Sequence, residues 1–120
     1  MRSDESRTDF GAIKIHKNVI ASIAAIAAEE IDGVKRVGGT LTTGIMELIG
    51  QKAPRAIKVD FDKNDEVKLQ VPLIIVYDAN IPEVALRVQE NIRSALEKMT
   101  NLSIRDITIN VQGIEKRGRA

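Results

Sequence analysis

The stretch IKVDFDKNDEVKLQVPLIIV, residues 57–76, decides the fold class. Ile57, Val59 and Phe61 alternate with Lys58 and Asp60, and Val67, Leu69 and Val71 alternate with Lys68 and Gln70. A period of two marks a strand with one face in water. Between the two runs lies Asp62-Lys63-Asn64-Asp65, rich in side chains that bond their own backbone in turns. The stretch therefore reads as an antiparallel hairpin with one wet face. From Leu73 to Val76 both faces are apolar, so this half of the second strand is expected to be covered on both sides. Pro72 stands at the changeover. It has no N–H to give to a ladder, so it points to a sheet edge or a bulge there.

Downstream, Asn80 and Glu83 have the spacing of a helix N-cap and its third residue, an Asn-led capping box. Pro82 falls in the first turn, where a missing N–H costs nothing. Ile81, Val84, Ala85, Val88, Ile92, Ala95, Leu96 and Met99 form one stripe of a long helix, with Glu83, Arg87, Glu90, Arg93, Glu97 and Lys98 opposite. Ile107, Ile109 and Val111 then alternate with polar residues in a last strand.

Upstream, Ile13 and Ile15 flank Lys14 in a short strand. A first helix follows, with Asn18 expected as N-cap ahead of His16. Its apolar stripe is Val19, Ile20, Ile23, Ile26, Ala27 and Ile31, and Asp32-Gly33 ends it. Val34 to Val37 is a brief strand. Leu41, Ile45, Leu48 and Ile49 have helical spacing and predict a short further helix, closed by Pro54. The order is β-α-β-(α)-β-β-α-β. This predicts an α+β two-layer sandwich, with two main helices on one face of a mixed sheet of about five strands. A mobile polar tail is expected over residues 1–10, one domain over 11–114 and a basic C-terminal tail over 115–120.

The composition restricts function. Aromatic residues are 2% of the 120 and are Phe10, Phe61 and Tyr77, too few for a nucleic-acid stacking platform. With 18 basic and 17 acidic side chains the net charge is +1, which leaves no broad electrostatic footprint for DNA or RNA. There is no cysteine, so no disulfide, thiolate metal site or cysteine nucleophile. The polar start MRSDESRTDF does not read as a signal peptide. The longest weakly polar run, Val19 to Ala28, is ten residues, half of the roughly 20 that a membrane span needs.

No catalytic constellation stands out. Asp60, Asp62 and Asn64 match the first ligands of a calcium loop, but Asp65 stands where glycine is needed and Val71 where the bidentate glutamate is needed. His16 is the lone histidine, and no base partner or pocket is marked beside it. Ser22 lies within the first helix, outside any nucleophile elbow. Gly38, Gly39 and Gly44 lack the Gly-Lys-Ser/Thr ending of a phosphate loop. No cofactor and no metal ligand set is expected. Two surface features remain. Ala21, Ala25 and Ala28 give the first helix a face of small residues, open to close approach by the last helix or by another copy of the chain. Lys116, Arg117 and Arg119 could touch an anionic surface.

Several blocks taken together carry a resemblance. Gly-Ala-Ile-Lys-Ile (11–15), Val19-Ile20, Ile23-Ala24 and Ile31-Asp-Gly-Val34 form one group. Val67 to Tyr77, Ile81-Pro-Glu-Val-Ala85, Val88-Gln89 and Met99-Thr-Asn-Leu102 form another, and Ile109-Asn-Val-Gln-Gly113 closes the chain. In order and spacing the chain resembles the alkaline-shock-protein family, the Gls-type envelope stress-response proteins, over about residues 11–114. The resemblance implies a bacterial, non-enzymatic, cytoplasmic protein of cell-envelope homeostasis. It would act near the inner face of the membrane through self-association and protein contacts, with a membrane-anchor protein as a partner of some members. It implies no small-molecule substrate. The alternative is a small KH-like nucleic-acid-binding or regulatory domain, against which the absent Gly-x-x-Gly loop counts. The chain departs from the family pattern at Asp78 and Asn101, where glycine is common, at Pro72, and at His16-Lys17-Asn18.

Overall fold

The computed structural model describes residues 5–39 and 56–118. Within them the chain runs β1 (Glu5–Thr8), β2 (Gly11–Lys14), α1 (Lys17–Glu29), β3 (Val34–Val37), β4 (Lys58–Phe61), β5 (Val67–Val76), α2 (Ile81–Thr100) and β6 (Ile104–Glu115). The short helix expected from Leu41, Ile45, Leu48 and Ile49, with its closing Pro54, lies outside the described residues.

The 57–76 hairpin forms as expected. β4 and β5 pair antiparallel from Lys58 opposite Gln70 to Phe61 opposite Val67. The Asp62 carboxylate closes the turn by accepting from the N–H of Asn64 at 2.8 Å and of Glu66 at 2.9 Å. β5 is the centre of a four-stranded mixed sheet. On one side its first half pairs with β4 and its second half with β3, both antiparallel. On the other side β6 runs parallel to its whole length.

That arrangement accounts for Pro72 in a central strand. Pairing with β4 ends at Gln70 and pairing with β3 begins at Leu73, so residue 72 falls at the junction. The Pro72 carbonyl accepts from Gly38 N–H at 2.9 Å on that side. The N–H and C=O of a strand residue share a side, so the donor that proline lacks would also have pointed into the junction. Beyond it Leu73, Ile74, Ile75 and Val76 are all buried, as their apolar run requires.

Both helices lie on the face of β5 that carries Val67, Leu69, Val71, Leu73 and Ile75. α2 begins as read: the Asn80 side chain accepts from Glu83 N–H at 3.0 Å, with Pro82 in the first turn. It buries Val84, Val88, Ile92 and Leu96, each contributing about 1.5–3 kcal/mol when fully removed from water. Ile81 and Met99, placed in the stripe by spacing, are exposed because they sit in the end turns. At the C-terminus the Thr100 hydroxyl donates to the Leu96 carbonyl, and Asn101 takes a left-handed conformation at φ 61°.

Three expectations change. Residues 5–8 are a strand, not a tail. Glu5–Thr8 pairs antiparallel with Gly11–Lys14 through a turn in which Phe10 N–H donates to Thr8 Oγ1. The segment has no apolar alternation, which is why its sequence does not announce a strand. β2 therefore belongs to this separate two-stranded ribbon and not to the main sheet. At the other end β6 continues to Glu115, whose carboxylate takes a bidentate pair of hydrogen bonds from Arg36 of β3 at 2.9 and 2.7 Å. Residue 115 thus closes the sheet and does not open a tail. Finally, His16 and not Asn18 is the N-cap of α1, with extended backbone and no side-chain bond to the helix.

Candidate functional site

The three alanines singled out in the sequence are interior. Ala21, Ala25 and Ala28 join Ile20, Ala24 and Ala27 as the buried positions of α1. The isoleucine stripe does not seat as its periodicity predicts. Ile26 is 62% exposed and Val19 46%, while Ile23 and Ile31 are only partly buried. The reason is how closely α1 approaches α2. The Asn91 amide donates to the Ala27 carbonyl at 2.8 Å. At Gly33, just beyond the helix, a Cβ would stand 2.7 Å from a Val84 methyl. Only small side chains fit at that separation, so the alanines turn inward and the larger Val19 and Ile26 turn out.

These two contacts also fix direction. Ala27 lies beside Asn91 and Gly33 beside Val84, so α1 and α2 are antiparallel. The solvent face of α1 is then a strip of Val19, Ser22, Ile23 and Ile26 that carries no charge between Asn18 and Glu29.

A second apolar surface lies along β6. Ile109, Val111 and Ile114 are in register with Val71, Leu73 and Ile75, three buried residues of the helix-side core. Paired residues of neighbouring strands share a face, so these three continue the core row. α2 is tied to the first half of β6: the Gln89 amide donates to the Ile107 carbonyl and Arg93 to the Ile104 carbonyl, both at 2.8 Å. Further along, Val111 is 38% exposed and Ile114 43%. Alternation placed Val111 in the core, and it is uncovered because it stands on the last strand of the sheet. A signal was present in the sequence: no charged residue occurs from Ile107 to Ile114.

A cleft of about 600 Å³ opens where β5 ends and α2 begins. Asp32, Asp78 and Glu83 line it with Arg87, Lys116 and Arg117. Its charges compensate one another: Arg87 meets Glu83 at 2.9 Å and Arg117 meets Asp32 at 3.4 Å. Asn80 already occupies the helix N-terminus, so the cleft is a solvated surface with no open anion cradle. Lys116 and Arg117 are exposed here, and Arg119 lies outside the described residues. Asp78 is left-handed at φ 86°, and Asn101 at 61°. At both positions glycine would carry no steric penalty.

Among the described residues two carboxyls are clearly perturbed, and both are structural. Asp62 is held below the ordinary carboxylate range mainly by the Glu66 N–H, helped by Asn64 N–H and Arg105 and opposed by partial burial. Glu115 is held low mainly by its hydrogen bonds from Arg36, again opposed by burial. Among the described residues no group of three or more His, Asp or Glu side chains could hold a metal ion. Asp60 and Asp62, the start of the calcium-like pattern, are used otherwise: Asp60 faces Lys17 at 3.9 Å and Asp62 faces Arg105 at 3.1 Å. No described helix is long and apolar enough to cross a membrane.

Comparison with known proteins agrees with the resemblance in the sequence. YqhY, an uncharacterised protein of Bacillus subtilis (strain 168), is 39% identical over 116 residues, spanning 96% of this chain and 85% of its own. YloU of the same strain, also uncharacterised, is 27% identical over 115 residues, spanning 93% and 95%. A solved MamM variant overlays 88% of this chain and 91% of its own at 14% identity and a TM-score of 0.48, a likeness too slight to carry an argument. The family model of alkaline shock protein 23, described as having a cell envelope-related function, matches residues 5–116, the β1–β2 ribbon included. The chain belongs to that cell envelope-related family.

Proposed function

We propose that this protein serves the cell envelope as a non-enzymatic, self-associating component that works through protein contacts. The observation that carries this is the pair of uncovered apolar surfaces on a folded protomer, the Val19–Ile26 strip of α1 and the Val111–Ile114 end of β6. Apolar surface gathered on one element marks a contact site more often than chance exposure. The family assignment supplies the setting. In this reading the protein stays in the cytoplasm, at the inner face of the membrane, and reaches it through a partner such as a membrane-anchor protein. The balanced charge of the cleft supports contact chemistry over catalysis, because perturbed groups gathered in a cleft are the usual sign of an enzyme. The two perturbed carboxyls among the described residues lie elsewhere, in a turn and at a sheet end.

Sedimentation velocity on the purified chain across the micromolar range tests the assembly half of this reading. The expected outcome is a weight-average sedimentation coefficient that rises with concentration and persists at high salt, as apolar contacts do. A single monomeric boundary at every concentration and salt would sink it. A salt-dependent shift of RNA or DNA at physiological ionic strength would favour a nucleic-acid function instead.

A further inference from the structure

We propose that the free edge of β6 is the self-association interface, and that the occupant is a second copy of this chain. Two protomers would join β6 to β6 antiparallel, about a twofold axis normal to the sheet. This narrows the self-association reading above to one surface and rests on it.

β6 is twelve residues long and, among the described residues, pairs along one edge only, with β5. A long open edge is a template for another strand, and proteins usually blunt it with charges, proline or short length. Here Ile107 to Ile114 contains neither a charge nor a proline. Its irregularities fall at Arg105 and Gln112, leaving Asp106 to Val111 in unbroken register with β5. A β-rich, uncharged run on an edge pairs readily.

The direction follows from two facts. Val111 and Ile114 lie on the helix side of the sheet and are about two-fifths exposed. A twofold axis normal to the sheet keeps both helix layers on one side, so Val111, on the axis, meets its symmetry mate and the core row runs on across the joint. An axis along the strands would set the helix side of one protomer beside the opposite side of the other, so Val111 would not meet its symmetry mate. Centred on Val111, an antiparallel pair puts Val111 against its own symmetry mate, whereas a parallel pair in register sets Asp106 against Asp106, like charges directly opposed. The contact is isologous and closes as a dimer.

The test uses Val111→Lys and Val111→Glu. Each variant alone puts like charges across the axis, at a position where a charge in the monomer reaches water. Sedimentation should show each variant's dissociation constant raised at least about tenfold, with an unchanged circular dichroism spectrum, since like charges directly opposed destabilise a strand pair. An equimolar mixture should associate again. The interface is overturned if either variant associates like the wild type, or if the mixture stays apart. A wild type that is itself monomeric throughout overturns the self-association reading. Amide exchange of the wild type gives a check that needs no variant: Thr108 to Ile114 should gain protection as concentration rises. Unchanged protection there in an associating wild type also rules the edge out.

Discussion

Replacing Gly33 with alanine probes the α1–α2 seating that turns the alanines inward. Two costs are visible. Gly33 has φ +104°, outside the range an L side chain takes easily, and forcing such a residue costs about 1–2 kcal/mol. The new Cβ would also stand 2.7 Å from Val84 Cγ2, and overpacking of this kind costs about 1–3 kcal/mol. The backbone is not free to relax, because the Gly33 carbonyl accepts from Val76 N–H at 2.8 Å at the sheet's end. Alanine's smaller unfolded-state entropy returns about 0.4–1 kcal/mol. The net expectation is a loss of about 2–4 kcal/mol, or a melting temperature lower by roughly 8–15 °C for a domain of this size. Urea and thermal denaturation measure it. The cycle with Val84→Ala separates the terms: removing the methyl relieves the clash but not the backbone strain, so the double variant should be about 1–2 kcal/mol more stable than additivity predicts. A Gly33→Ala protein within about 0.5 kcal/mol of wild type, or an additive cycle, would refute the seating.

Other outcomes follow from the same contacts. Ala25→Lys should unfold the protomer or leave it barely stable, because it drives a charge into a 3% exposed site, whereas Ile26→Lys should change the melt by less than about 0.5 kcal/mol; equal melts would contradict the helix orientation. Asn80→Ala should cost about 1 kcal/mol by leaving the Glu83 N–H without its acceptor, read from chemical denaturation. Asp62 and Glu115 have folded pKa values below their ordinary 3.8 and 4.5. Their stabilisation is therefore present above those values and is lost as pH falls through the lower folded ones. The Asp62→Asn, Glu115→Gln double variant should show a flatter loss of stability below about pH 4.5, and an acid limb as steep as wild type's would argue against these pairs.

The elements that sequence reading placed well are those whose signals are local. α2 is announced by Asn80, Pro82 and Glu83 before its stripe begins, and the β4–β5 hairpin by alternation on both sides of an Asp-rich turn. Asp78 and Asn101, which depart from family glycines, both turn out to be left-handed, so backbone geometry explains the glycine preference. α1 was legible in part: Ile20 and Ala27 of its stripe are buried, and the alanine face, open in the sequence to the last helix or another copy, lies inside the fold. Val19 and Ile26 are exposed because alanine and isoleucine both count as apolar, and periodicity does not tell which of the two faces a close neighbouring helix admits. β1 was missed because Glu5–Thr8 pairs through its backbone without apolar alternation. The candidate surfaces were the least accessible to sequence reading. Exposure of Val111 and Ile26 depends on where the sheet ends and how a helix rolls, which are tertiary facts.

The central claim is that apolar surface contacts, and no chemistry, carry the envelope function. The most direct measurement is complementation in the native host lacking this gene, under envelope stress, by a variant carrying Ile26→Lys and Val111→Lys. Its fold is verified by a melt matching wild type. The account predicts a folded, normally abundant protein that fails to restore stress tolerance. Full restoration by that variant would contradict it.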